Sequence, residues 1–218
     1  MKIQSILHST LLAGAVALSA IPVARASLIG TGYSSVGSEA VSVTAPSFSG
    51  KAGSFVGTWN GLPFTFWCFE LTEFFSFNTE YFDYTESPVG YPDAALLFEE
   101  VGGAAGATST LVKSVAFQLA LWEIRYETSL SGYDLTSGSF YVTSGDPAAV
   151  AQATTWLQNL PPTSSYTAYL LHSDNEQDFV YGTKPPLGQI PEPSPLPLLG
   201  LGVAAMMFSM RRRVVSSR

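Results

Sequence analysis

The chain opens and closes on apolar runs, and between them the spacing of apolar positions changes character along the sequence. Val41-Ser42-Val43-Thr44 alternates apolar and polar side chains, as does the stretch over residues 62–71. That is the period of a strand with one face in a core. Gly50, Gly53, Gly57 and Asn60-Gly61 supply turns beside such strands. Across residues 64–84, ten of 21 side chains are aromatic, which predicts strands packed into a core. Pro92-Asp93 then opens a short helical run ending near Val101, followed by a flexible Gly102-Gly103-Ala104-Ala105-Gly106. Helical spacing is clearest over residues 110–127, where Leu111, Val115, Leu119 and Trp122 recur as on an amphipathic helix. Asp146-Pro147, a cap and a first-turn proline, opens another helix that runs to Leu160 and stops at Pro161-Pro162. Short strands are expected at residues 166–171 and 179–181. Strands, then helices, then strands predict an α+β fold: a single mixed domain over residues 27–188, with antiparallel strands and a small helical subdomain.

The two ends read as addresses. Met1-Lys2 is a short basic start, an apolar run covers residues 6–23, and Ala24-Arg25-Ala26 offers a small-x-small cleavage site. Residues 1–26 therefore read as a signal peptide, cut by signal peptidase before Ser27. At the other end Ile190-Pro191-Glu192-Pro193-Ser194-Pro195 precedes an apolar stretch over residues 196–210 and then Arg211-Arg212-Arg213. As a helix that stretch measures about 22 Å, short of the roughly 30 Å hydrocarbon core. A short transmembrane helix of this kind relies on local thinning and snorkelling arginines. The basic cluster stays cytoplasmic and leaves the rest of the chain outside. Pro191, Glu192 and Pro193, the short hydrophobic helix and the Arg211, Arg212, Arg213 cluster together resemble the PEP-CTERM tail of exported bacterial proteins, over residues 189–218. The resemblance implies an exosortase, a membrane cysteine transpeptidase that cuts near the motif, and a Gram-negative source making extracellular polysaccharide. It further implies transient residence in the inner membrane, then delivery to the cell surface or extracellular matrix.

Composition narrows the central region. The 218 residues suit one domain. A net charge of −7 argues against nucleic-acid binding, which needs a basic face. Without the two address segments the charge deepens, because residues 27–190 hold four Lys and Arg against 16 Asp and Glu, a net of −12. One cysteine excludes a disulfide framework and any multi-cysteine metal site. His172 is the single histidine of the exported part, so neither a metal nor a cofactor is expected. There is no Gly-x-Ser-x-Gly elbow, and residues 102–110 lack the lysine of a phosphate loop. Asp174-Asn175-Glu176-Gln177-Asp178 lacks the spacing of a calcium loop and reads as a solvated acidic turn.

Two residues stand out from this background. Cys68 lies in the aromatic segment Phe66-Trp67-Cys68-Phe69, and Gln118 lies in Phe117-Gln118-Leu119-Ala120-Leu121-Trp122. Helical geometry puts Leu111, Val115, Gln118 and Trp122 along one face. A glutamine amide there must be desolvated and needs a partner. A thiolate can add to a glutamine side-chain carbonyl and expel ammonia, leaving an internal thioester. That chemistry needs an uncompeted cysteine, a glutamine in contact with it and an apolar wall, for which Trp67, Phe69, Phe117 and Trp122 are the candidates. The aromatic-Cys segment, with a Gln-x-Ala-hydrophobic-Trp motif about 50 residues later, resembles the thioester domains of bacterial surface adhesins. The resemblance implies an α+β fold, a Cys68–Gln118 thioester and covalent capture of an amine-bearing surface target, without turnover.

The alternative from the same residues is a non-covalent structural or polysaccharide-binding matrix protein, with Trp59, Trp67, Trp122 and Trp156 as candidate sugar platforms. A polysaccharide hydrolase would need paired carboxylates at catalytic separation, for which the sequence shows no motif.

Overall fold

Asn60-Gly61 is the sharpest turn signal in the chain, and the computed structural model turns there. Strands β4 (Phe55–Trp59) and β5 (Leu62–Cys68) form a hairpin in which Trp59 faces Leu62. Both turn residues have positive φ, 52° and 77°, as a two-residue hairpin that matches strand twist requires. The structure describes residues 26–128 and 132–184. The signal segment, the sorting motif at 191–193, the expected helix over 196–210 and the arginine cluster lie outside the described residues.

Five further strands join this hairpin. They are β1 (Leu28–Tyr33), β6 (Glu80–Tyr81), β7 (Thr85–Pro88), β9 (Thr167–His172) and β10 (Phe179–Thr183), in the order β6-β1-β4-β5-β10-β9-β7. Every pairing is antiparallel. The two edge strands are neighbours in sequence, separated only by Phe82, Asp83 and Tyr84. A flat sheet of seven strands would hold its edges roughly 29 Å apart, whereas the link from Tyr81 to Thr85 reaches at most about 14 Å. The sheet must curl. Accordingly the Trp59 indole on β4 donates across the mouth to Glu86 on β7 at 3.3 Å.

The curled sheet encloses aromatic rings: Phe55, Phe66 and Phe179 lie within 5.9 Å of one another, centroid to centroid. The expectation of strands throughout the aromatic-rich stretch is corrected here. β5 ends at Cys68, and residues 69–79 form a loop whose Phe75 folds back onto Phe55 and Phe179. A ring buries its surface as well from a loop as from a strand, so aromatic density reported burial and not backbone conformation. Gly30 leaves the space that this ring fills; a side chain there would collide with Phe75.

A small sheet, β3-β2-β8, combines β2 (Glu39–Val43), β3 (Phe48–Ala52) and β8 (Val142–Ser144). The helices are α1 (Pro92–Val101), α2 (Gly103–Ala107), α3 (Leu111–Tyr126) and α4 (Pro147–Gln158). Asp146 caps α4 as its sequence suggests, accepting from the Ala148 N–H at 2.9 Å. The glycine-rich stretch after α1, expected to be flexible, instead forms α2, entered through Gly102 and Gly103 at positive φ.

α3 departs from the amphipathic expectation. All residues from Ser114 to Ile124 are buried, because α3 runs between α4, α1 and the strands. Phe117 packs on Trp67 of β5 at 4.6 Å, and Trp122 meets Phe48 of β3 at 5.6 Å. A helix covered on all sides buries whatever its sequence places there, polar residues included. Gln118 and Glu123 are the cases that matter.

Candidate functional site

Cys68 is the last residue of β5, and its own ladder explains how Gln118 reaches it. Phe69 donates its N–H to the Asp178 carbonyl on the β10 side at 2.8 Å. Backbone groups alternate sides along a strand, so the Cys68 N–H and C=O point the other way, toward β4. The β4 ladder has already ended, at Phe55 opposite Phe66. Gln118 supplies the missing rung. Its Oε1 accepts the Cys68 N–H at 3.1 Å, and its Nε2 donates to the Cys68 carbonyl at 2.6 Å. Gln118 is fully buried and Cys68 is 4% exposed. The amide that the sequence required to find a partner has found two backbone atoms of one residue, 50 positions away.

The sulfur has its own surroundings. Cys68 Sγ donates to the Glu70 carbonyl at 2.5 Å and accepts from Gln177 Nε2 at 2.8 Å. Burial pushes the thiol up to about 12, while the Trp122 indole, the Glu70 backbone and the Gln177 amide pull the other way. Of the expected wall, Trp67 and Phe117 pack on one another with Phe98 beside both. Phe69 lies against Tyr91, under the Arg125 guanidinium. Tyr126 closes the next residues, its hydroxyl accepting the Leu71 N–H at 2.8 Å.

Gln177 was not singled out by the sequence. It sits in the acidic turn read as solvated, yet it is buried, and Asp178 turns inward to bond His172 and the Ser173 N–H. The contact with Cys68 spans 109 positions across the β9–β10 loop, and no local spacing announces it. The only trace is Phe179-Val180-Tyr181, which draws the loop's end into the core.

Glu123, also on α3, is fully buried. One carboxylate oxygen accepts the Asp134 N–H at 2.7 Å and the other has no partner among the described residues. Burial pushes this carboxyl up to about 7, with Glu127 and Asp134 adding repulsion against the pull of the Asp134 N–H. Glu70 is also pushed up to about 7, by burial first, then by its hydrogen bond with Glu73 and the charge of Asp178. His172 is raised above its ordinary 6.5 by hydrogen bonding to Asp178, with Asp174 adding to it. Each of these groups holds its proton more tightly in the folded state. The carboxyls make the folded state lose stability as pH rises from about 4.5 toward 7. The His172 contribution is complete below 6.5 and disappears as pH rises through its folded value. Urea unfolding is therefore expected to show a more stable domain near pH 5 than near pH 8. Glu123→Gln keeps the acceptor for Asp134 and removes the charge, and should stabilise by about 2 kcal/mol near pH 8 with little effect near pH 4.5. A stability profile that rises with pH over this window would contradict the assignment.

The four tryptophans do not form an exposed platform. Trp67 and Trp122 are core residues, Trp156 is buried on α4, and Trp59 is 9% exposed with its indole committed to Glu86. No group of three or more metal-ligating side chains occurs among the described residues, and no helix among them is long and apolar enough to cross a membrane.

Comparison with known proteins bears on the C-terminal tail. Neither curated proteins nor solved structures gave a significant match. Residues 189–213 match the PEP-CTERM protein-sorting motif, covering Pro191, Glu192, Pro193 and the cluster from Arg211 to Arg213. The chain thus carries a C-terminal exosortase-sorting signal, which implies an exported protein, processed by an exosortase and sorted to the cell surface or beyond.

Proposed function

We propose that Cys68 and Gln118 close an internal thioester, and that the exported domain uses it to attach covalently to an amine-bearing target at the surface or in the matrix. The observation that carries this reading is the fully buried Gln118 amide seated on Cys68 by two hydrogen bonds. The chemistry balances within the chain. The Cys68 sulfur bonds to the Gln118 side-chain carbon, the C–N bond breaks, and the thiol proton leaves with the nitrogen as ammonia. The Cys68 N–H already rests on Oε1, where negative charge collects as the sulfur adds. A target amine then attacks the same carbon, an amide forms, and the sulfur recovers a proton as the thiol. Each domain reacts once, so it is an acyl donor and not an enzyme. Burial of the site keeps water from the acyl carbon.

A second reading is favoured by the same two bonds. Gln118 continues the β5 ladder, and a rung is a sufficient role for it in a non-covalent matrix protein. Intact-mass measurement of the purified protein separates the two. The thioester reading expects a mass lower than the sequence by one ammonia, a Cys68 that resists alkylation after unfolding, and gain of one methylamine on exposure to that amine. Full sequence mass with Cys68 freely alkylated once unfolded would establish the rung alone.

A further inference from the structure

A buried side-chain amide from a loop 109 positions away meets the Cys68 sulfur. Gln177 donates Nε2 to Sγ at 2.8 Å and to the Glu70 carbonyl at 3.2 Å. Trp122 lies one helical turn beyond Gln118, its indole N–H buried without a hydrogen-bond partner among the described residues. That indole favours the ionised thiol. The loop carrying Gln177 is tied down on both sides. Tyr84 donates its hydroxyl to the Gln177 carbonyl at 2.7 Å, and Ser173 donates to Asp83 at 2.8 Å while accepting the Asn175 and Glu176 N–H groups. An amide held this firmly against sulfur is a fixed dipole. A donor fixed before charge develops is worth more than one that must reorient.

We propose that Gln177 is a fixed donor for the Cys68 sulfur, stabilising the negative charge it carries when the thioester forms and again when an amine opens it. This role rests on the internal thioester proposed above. In the forming step the charged sulfur is the nucleophile. In the opening step the amine nitrogen bonds to the Gln118 carbon, the C–S bond breaks with its electron pair on sulfur, and the amine's proton then returns to sulfur. Both steps pass through a charged sulfur in a site where burial opposes that charge, and the Trp122 indole, the Glu70 backbone and the Gln177 amide pull the other way. Glu70, whose charge works against them, and the nearby Tyr33 and Tyr126 hydroxyls belong to the same surroundings and stay in place in the variants below.

The test uses the full exported chain with Gln177→Leu, which keeps bulk without donors, and Gln177→Glu, which replaces the donor by an acceptor. Two readouts are compared with wild type. One is the rate at which methylamine opens the thioester, followed by intact mass. The other is the titration midpoint of the free Cys68 thiol in the opened protein, followed by thiolate absorbance. The expected result is opening slowed about tenfold in Gln177→Leu and more in Gln177→Glu, with the midpoint moved upward in both variants. The midpoint is the readout that packing or altered access alone would not move in this ordered way. Wild-type rates and midpoints in folded variants would overturn the donor role and leave the thioester standing. A wild-type protein at full sequence mass would remove the thioester and the donor role together.

Discussion

Replacing Gln118 with leucine is expected to destabilise the domain by about 2–5 kcal/mol, because it leaves the Cys68 N–H and C=O buried and unpaired at once. Leucine keeps the volume and the apolar contacts on α3, so the loss reads the two hydrogen bonds and not a cavity. Gln118→Glu sharpens the result. Ionised, it retains the acceptor for the Cys68 N–H but sets a carboxylate oxygen against the Cys68 carbonyl. Protonated, it can make both bonds again. Its deficit should therefore be large at neutral pH and shrink as pH falls, whereas the leucine deficit should change little beyond the wild-type profile. Urea titrations at two pH values measure both. Equal stability of Gln118→Leu and wild type would mean that the rung contributes nothing. Neither variant has an amide to lose, so neither should show the missing ammonia.

The second large effect is expected at Trp67, which joins the sheet to the helices through Phe98 and Phe117. Trp67→Ala should cost about 3–5 kcal/mol, the range for removing a large buried ring. Trp67→Phe is the informative contrast. The Trp67 indole N–H is buried without a partner among the described residues, so removing it relieves a desolvation penalty of about 1–3 kcal/mol. That relief offsets much of the lost packing, and Trp67→Phe should fall within about 1.5 kcal/mol of wild type. Thermal unfolding of the pair checks the asymmetry. A phenylalanine variant as damaged as the alanine one would show that the indole N–H is satisfied after all.

Much of the local architecture was legible because it depends on neighbours in the chain. Asp146-Pro147 opens α4 by capping chemistry, and Asn60-Gly61 turns a hairpin because those residues tolerate positive φ. The requirement for a Gln118 partner was legible as well, since a desolvated amide among apolar neighbours is costly wherever the helix lies. The errors share one cause. Aromatic density over residues 64–84 foretold burial but not the loop that delivers Phe75 to the core. Apolar spacing on α3 foretold a helix but not that it would be covered on every side, burying Glu123. Gln177 had no legible signal, because its value comes from a loop closing over a strand 109 positions earlier.

What could be read from residues 1–218 without coordinates was therefore the chemistry that is local or terminal. Sorting signals belong here, since their apolar length, proline motif and terminal arginines are recognised as linear features; the match at 189–213 bears out that part of the reading. Which atoms meet was decided only by the tertiary structure. The curl of the sheet follows from a three-residue link between opposite edges, and the pairing of Cys68 with Gln118 from where β4 stops. The seating of the Gln177 amide on the sulfur follows from a β9–β10 loop anchored to Asp83 and Tyr84. Hydrophobic patterning constrains which residues leave water. It is indifferent to which buried polar groups they then meet, and those meetings carry the chemistry proposed for this domain.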